Sequence, residues 1–572
     1  MSLHEGLAHD FKVDRFEKRR RSLRNEYGSY STLHRELAEH FRPRRGFYLG
    51  GTSDQTSGGA KIHGAKKHQK VINGTPLRAS KNAQSGLQAG VTSPSRPWKK
   101  LGPSTNDFDE VRGAKEFFAE TDRRMDYILA KSNFYQATHT AYADFVDQGV
   151  AAIQVDEHDD DVLRCTVHPV GSWVGAVDAD GRINVFYRDY RPTGHEMASK
   201  FGLENLPKDL QNKINLDPYK RHDLYNAIEP NPFYGGPDQP AIGIAGFPYI
   251  SVWWVKGQGR DFIKKHGYHE FPVFVFRFYR SDTSDVYGSS PGMDVLGDAK
   301  QLQHQEGKKL RALDKLIDPP LQAPTSLRSK GVSLVPAKVT YHDGPNKVES
   351  LYNLNLPLQY ILQDIEAIEK RIGEAYFEDL FLMISQTVNR QVTAREIEER
   401  HQEKLLMLGP VLESISDELL DPFINRVIGI MRRKGLLPQA PPEIEGVNIK
   451  VEYISILAQA QRAVQVVSLE LGLDFVARAG QIFPSIQDRV NPDGLADAFF
   501  ERIGFPPEAT FSVKEADAGR QQRARSEAQA QSMANAGAAA SVAKDASAAM
   551  GNDPDTIQAA LAAMGGAGAA AA

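Results

Sequence analysis

From Gly292 to Asp318 apolar residues recur at helical spacing (Met293, Leu296, Leu302, Leu310, Leu313, Leu316, Ile317). Pro319 and Pro320, which lack the helical donor, end the run. A second stripe starts near Leu358 and passes through Ile361, Leu362, Ile365, Ile368, Ile372 and Tyr376 at i, i+3, i+4 and i+7. These patterns predict two helices, each on the order of 40 Å long at ~1.5 Å per residue, flanking a loop-and-strand insert at 319–355. The first helix leans basic (Lys300, Lys308, Lys309, Arg311, Lys315) and the second acidic (Asp364, Glu366, Glu369, Glu374, Glu378, Asp379). Together they predict an elongated antiparallel pair whose tip projects from the body. Opposite charges would pair within it or between neighbouring copies, each exposed pair contributing little.

The rest of the C-terminal half is also mainly helical. After a polar break, Gln386 to Gln391, Thr393 opens a third long helix with a capping box, since Glu396 follows three residues on. Pro410 predicts a kink in it. A strand-like return at Val447–Tyr453 and shorter helices follow, and beyond Phe511 the chain turns rich in Ala, Gln, Ser and Gly. The N-terminal half is α+β. Helix-like patterns cover residues 12–24, 31–41 and 71–90, the last with many small residues suited to close packing, and 107–149 predicts one or two amphipathic helices. The period then switches to two, predicting strands at AAIQV, VLRCTVHPV, WVGAV and INVFYR, and again at Tyr249–Lys256 and Pro272–Tyr279.

At 572 residues the chain exceeds one ordinary core, and 41% hydrophobic with 25% charged residues is a folding composition. A formal net charge of -4 excludes a globally basic nucleic-acid binder but not local basic patches. One such patch is Lys12, Arg15, Lys18, Arg19, Arg20, Arg21 and Arg24. It is either an ion-paired helix face or a contact for nucleic acid or an acidic neighbour. The lone Cys165 excludes an internal disulfide framework and a cysteine-based zinc site; it is expected to be a small buried residue in a strand. Met1 to Arg24 carries no apolar signal core, and the longest apolar runs are strand-length, so a cytoplasmic origin without membrane insertion is expected.

Catalytic signatures do not stand out. Gly59 to Gly64 imitates a phosphate loop, but Ala65 stands where lysine is needed and no apolar strand precedes it. Asp156 to Asp161 lacks oxygen-ligand loop spacing and is better explained as an acidic hairpin turn. His195–Glu196 and His269–Glu270 are isolated pairs, and no GxSxG elbow occurs. No enzyme activity, cofactor or metal is expected.

Four stretches carry a family resemblance: VINGTPLRASKNAQSGLQAGVTSPSRPW (71–98), YGSSPGMDVLGDAKQLQHQEGKKL (287–310) with the PPLQAP break, QTVNRQVTAREIEER (386–400), and VEYISILAQAQRA (451–463). In order and spacing, from about residue 10 to 510, the chain resembles the podovirus head-to-tail connector (portal) family. The resemblance implies a wing, stem, clip and crown around a central channel, in a homo-oligomeric ring, usually a dodecamer. Residues 1–290 would be an α+β wing region, 291–318 and 356–384 the stem helices, and 319–355 the clip. Residues 385–392 would be the channel loop, 393–453 the long kinked wing helix with its return strand, 454–545 the crown, and 546–572 a mobile Ala/Gly-rich tail. The implied partners are double-stranded DNA passing without sequence reading, the terminase, scaffolding protein, major capsid protein and tail adaptor proteins, with no membrane. The implied location is the portal vertex of the virion, after assembly in the host bacterial cytoplasm. On this reading Gln386, Asn389, Arg390 and Gln391 are candidates to face DNA, Arg390 forming a positive collar. Arg328, Lys330 and Lys338 are candidates for clip contacts to DNA or a docking partner. A tail adaptor or scaffold with similar helices is the alternative.

Overall fold

The computed structural model describes residues 12–49, 70–103, 112–236, 243–257, 262–317, 321–322, 325, 349–350, 358–387, 407–439, 441, 449–455, 457, 478, 494 and 513–549. Residues 1–465 form one compact unit and 466–572 a second. The described chain mixes helix and strand throughout the first unit.

The chain begins with α1, Val13–Phe41, a single helix where the sequence suggests two. Gly28 costs about 1 kcal/mol in a helix interior. The buried stripe of Phe16, Leu23, Tyr27, His34, Leu37 and Phe41 nevertheless runs unbroken across it. The Ser29 and Ser31 hydroxyls donate back to the carbonyls of Glu26 and Gly28. Helix α2, Thr75–Gly90, places Pro76 in its first turn and buries Ala79, Ser80, Ala83, Gly86 and Leu87. Strand β1 is Lys99–Pro103, and α3 (Arg112–Lys131) and α4 (Phe134–Gln148) follow. They part at Asn133, whose side chain bonds both the N–H and the carbonyl of Cys165.

The predicted strands are present as β2 (Val150–His158), β3 (Val162–His168), β4 (Trp173–Val177) and β5 (Ile183–Tyr190). Two short helices that the periodicity does not announce, α5 (Gly194–Phe201) and α6 (Lys208–Leu216), precede β6 (Leu224–Pro230), β7 (Tyr249–Val255), β8 (Lys264–Tyr268) and β9 (Val273–Arg277). Strands β4 to β8 form a five-stranded antiparallel sheet in sequence order, and β3-β2-β9 a three-stranded one. The larger sheet is covered on both faces. Ile250, Val252 and Trp254 of β7 pack in the core that holds Phe16 and Tyr27 of α1. Trp253 and Val255 pack with Met197, Leu210 and Ile214 of α5 and α6. Burial on both sides explains why β7 is a continuous apolar run rather than an alternating one.

The basic run on α1 lies against this sheet. Arg15 and Arg19 pair with the buried Glu229, and Arg20 and Arg24 with Asp189. The Arg20 guanidinium also sits 3.8 Å from the Tyr225 ring centroid. Arg21 pairs with Glu17 one turn back on the same helix (3.2 Å), so five of the seven cations are spent within the chain. Cys165 is buried in β3, and burial pushes its thiol up to about 12.

The remaining elements of the first unit are α7 (Pro291–Asp294), α8 (Leu296–Ile317), β10 (Leu321–Gln322), β11 (Glu349–Ser350), α9 (Leu358–Ala375), α10 (Glu378–Thr387), α11 (Gly409–Ile415), a five-residue π turn (Ser416–Leu420), α12 (Asp421–Arg433) and β12 (Ile449–Tyr453). Strand β12 pairs with β1, Lys99 opposite Tyr453. Pro410 occupies the first turn of α11, a position that tolerates a missing N–H; the predicted helix before it, from Thr393, lies outside the described residues up to 406. The π turn follows because Glu418 leaves the helix surface to accept from the Arg277 backbone N–H (2.8 Å) and its Nε (3.0 Å). The second unit contributes α13, Val513–Ala549, exposed along its described side chains from Arg520 to Gly537.

Gly86 sets the spacing between α2 and α10. A Cβ there would lie 2.3 Å from Cβ of Phe381. Gly86→Ala should lower stability by about 1–3 kcal/mol through overpacking, despite the better helix propensity of alanine. Thermal unfolding tests it: an unchanged or higher Tm would show that the two helices part freely.

Candidate functional site: the helical pair and its buried base

The helices α8 and α9 lie antiparallel. Asp298 pairs with Arg371 (Oδ1 to Nη2, 2.7 Å), and Gln305 donates to Asp364. Seven residues up one helix match seven down the other, so the register holds without slip over ~10 Å. Ala299 and Leu302 pack with Ile365, Ile368 and Ile372 in the seam. At the far end the two-residue ladder of β10 and β11, Leu321 opposite Ser350, closes the base of the insert. Toward that end the seam thins. Leu310, Leu316, Ile317, Tyr360 and Leu362 are all exposed, Ile317 by 82%.

A polar plug ties the pair to the body. The Gln303 side-chain oxygen accepts from the backbone N–H groups of Ile72 and Asn73 (2.6 and 2.8 Å), and its Nε2 returns a bond to the Asn73 carbonyl. The Asn73 amide nitrogen donates to Glu306 on α8 (3.1 Å) and Glu369 on α9 (2.8 Å). One side chain thus bridges both helices, while its own oxygen accepts from the N–H of Thr75 as α2 begins.

Below the plug lies a buried carboxylate. Asp147, at the end of α4, accepts from Arg42 Nε (2.6 Å), Ser80 Oγ (2.8 Å) and the Tyr376 hydroxyl (3.0 Å). Ser290 Oγ donates to the Asp147 carbonyl (2.9 Å), and Arg42 also reaches Gln84 (2.7 Å). Asp144, one turn earlier, pairs with Arg45 (2.9 Å); burial raises its carboxyl pKa against the pull of Arg45 and Arg42. Burial and the facing Asp147 push the Tyr376 hydroxyl far above its ordinary range, so it stays a donor. The hub joins α1, α2, α4, the approach to α7, and the end of α9.

The second helix of the pair does not run unbroken to residue 384, the bound that the stem assignment gives it. It stops at Ala375, Phe377 takes φ +53°, and α10 starts at Glu378. Tyr376 is committed to Asp147, so the chain must turn there for α10 to lie on α2. Asn82 of α2 donates to Glu378 (2.7 Å), and Phe381 abuts Gly86.

Of the residues picked out from the sequence, Gln386 falls in the last turn of α10. Asn389, Arg390, Gln391, Arg328, Lys330 and Lys338 lie outside the described residues. The described geometry therefore brings none of them together. It reveals instead Asn73, Arg42, Asp147 and Tyr376, which periodicity passes over. The available signal was Asp144 and Asp147 standing one turn apart in a helix otherwise dominated by Phe134, Ala137, Ala141, Phe145 and Val146. Among the described residues no group of three or more His, Cys, Asp or Glu could hold a metal ion, and no helix is long and apolar enough to cross a membrane.

Removing one partner of a buried charged pair leaves the other uncompensated. Asp147→Ala should cost about 3 kcal/mol or more, and Tyr376→Phe about 1 kcal/mol. Denaturant unfolding checks both; equal, small losses would mean that the carboxylate is not the centre of the network.

Residues 13–510 match the family model described as bacteriophage head to tail connecting protein. The portal protein of Salmonella phage epsilon15 is 34% identical over 552 residues, 96% of this chain and 97% of that one. The probable portal protein of Bordetella phage BPP-1 is 33% identical over 507 residues, 88% of this chain and 89% of its own. Among solved structures, a chain from the neck of an empty gene transfer agent particle covers 76% of this chain and 90% of itself at 11% identity, but its TM-score of 0.38 is too low to transfer an architecture.

Proposed function

This chain belongs to the family of bacteriophage head-to-tail connecting proteins, and from that premise we propose that it is the portal of a short-tailed phage. It forms a ring at one capsid vertex, through which double-stranded DNA is packaged and later ejected. The observation that carries this is the near full-length likeness, at a third identity, to two proteins named as portals. The antiparallel pair α8/α9 supports it. That pair is anchored at one end by Asn73 and Asp147 and leaves Leu310, Leu316, Ile317, Tyr360 and Leu362 uncovered in a single copy. Neighbouring copies around a ring would cover them, since apolar surface gains about 25 cal/mol per Å² on burial.

In this assignment 291–318 and 356–384 make the stem, with its turn at Phe377, and 319–355 the clip that meets the terminase and then the tail adaptors. Residues 385–392 are the channel loop, 1–290 and 393–453 the wing, 454–545 the crown, and 546–572 the tail. The ring is a dodecamer. Scaffolding and major capsid proteins contact it during assembly in the host bacterial cytoplasm, and it stays at the portal vertex of the virion. A conduit must let DNA slide, so contacts go to phosphates and not to base edges. Gln386, Asn389, Arg390 and Gln391 face the duplex, and Arg328, Lys330 and Lys338 serve the clip. The chain itself performs no catalytic step, and ATP hydrolysis belongs to the terminase.

Negative-stain microscopy of the purified chain should show rings with an axial hole; elongated monomers or solid complexes would refute the assignment. Arg390→Ala should leave rings intact and reduce DNA packaging or retention several-fold. Unchanged packaging with normal rings removes Arg390 from the mechanism.

A further inference from the structure

The charge of the helical pair is divided along its length. Its anchored half, residues 291–306 and 364–384, carries nine Asp or Glu against three Lys or Arg. Its distal half with the insert, 307–363, carries eight Lys or Arg against four Asp or Glu. Most of the anchored charges are engaged: Asp298 with Arg371, Asp364 with Gln305, Glu306 and Glu369 with Asn73, and Glu378 with Asn82.

The distal cations of α8 are not. Lys308, Arg311 and Lys315 are exposed, and none makes an ion pair among the described residues; Lys309 is taken by Glu306 (2.6 Å). At 100° per residue the three share one stripe, spanning about 10 Å along the axis. Asp298 and Gln305, which bond α9, lie on another side, on average about 100° round the helix. The stripe therefore does not face the partner helix.

Nor does α9 of a neighbouring copy at the same height offer carboxylates to neutralise it. The register places α9 residues up to Asp364 beside this half of α8, and the sequence from 351 to 363 contains no carboxylate. Asp364 is held by Gln305, and within α8 itself only Asp314 stands between Gly307 and Ile317. A row of cations without ion pairs among the described residues, and with no α9 carboxylate at their height, fits an external polyanion.

We propose that Lys308, Arg311 and Lys315 form a phosphate-contact stripe for double-stranded DNA on the distal half of α8, with the acidic anchored half repelling the same backbone. The proposal deepens the portal reading and rests on it. Ammonium and guanidinium groups on flexible stems suit this task, because they meet phosphates as mobile charges without base reading. The polarity gives the path a sticky end and a slippery end.

The test is the full-length chain carrying Lys308→Gln, Arg311→Gln and Lys315→Gln together. Binding to a random-sequence duplex is measured from ~50 to ~200 mM salt, alongside negative stain. The expected result is rings like the parent's, at least tenfold weaker DNA binding at low salt, and a log–log salt slope shallower by about 1 for each phosphate that is no longer neutralised. The same affinity and slope would overturn the proposal. So would loss of rings in a well-folded variant, which would assign the stripe to a neighbouring copy, or intact DNA binding with lost capture by terminase or tail proteins, which would assign it to an acidic protein surface. Lys315→Arg should bind as the parent does, separating charge from side-chain shape. A parent chain that forms no ring refutes the portal reading, while the comparison of slopes still decides the stripe.

Discussion

A carboxylate removed from water must be matched where it stands, and Asp147 is matched by groups from three other parts of the chain. Arg42 ends α1, Ser80 lies in α2, and Tyr376 closes α9; all three donate to its two oxygens. Each donor has one geometry in which it can reach, so the hub dictates where the helical pair leaves the body. The turn at Phe377 follows from it, and so does the seat of α10 on α2 through Gly86. A purely apolar base would hold these helices together but would tolerate sliding.

The plug at Asn73 performs the same service one layer further out. Its amide nitrogen reaches a glutamate on each helix, and Gln303 closes the loop back to its backbone. Between plug and hub the pair is braced by polar contacts that accept only one register. Beyond the plug no comparable brace occurs among the described residues, and apolar side chains are left uncovered. One end is thus suited to transmit force to the body, and the other to meet copies of itself and partners.

Charge follows the same division. The basic runs on α1 and α8 look alike in sequence. The one on α1 meets Glu229 and Asp189 of the five-stranded sheet and becomes part of the scaffold. On α8, Lys300 pairs with Glu36 of α1 and Lys309 with Glu306, but Lys308, Arg311 and Lys315 make no ion pair among the described residues. What separates scaffold from contact surface is the chemistry of the facing element.

The periodicity of apolar residues by itself determined the two helices of the pair, the strands β2 to β5, β7 and β9, and the small-residue packing of α2, because burial of one face is written directly into residue spacing. Four short stretches sufficed for the family resemblance. Periodicity could not determine that α1 is one helix, since Gly28 and its serines resemble a break until a sheet is placed beneath Tyr27. It missed α5 and α6, which are short and hold their apolar residues against Trp253 and Val255 from elsewhere in the chain. The break at Phe377 and the roles of Asp147, Asn73 and Glu418 were decided by tertiary structure alone: each depends on a partner more than a hundred residues away, and a hydrogen bond across that separation leaves no local pattern to read.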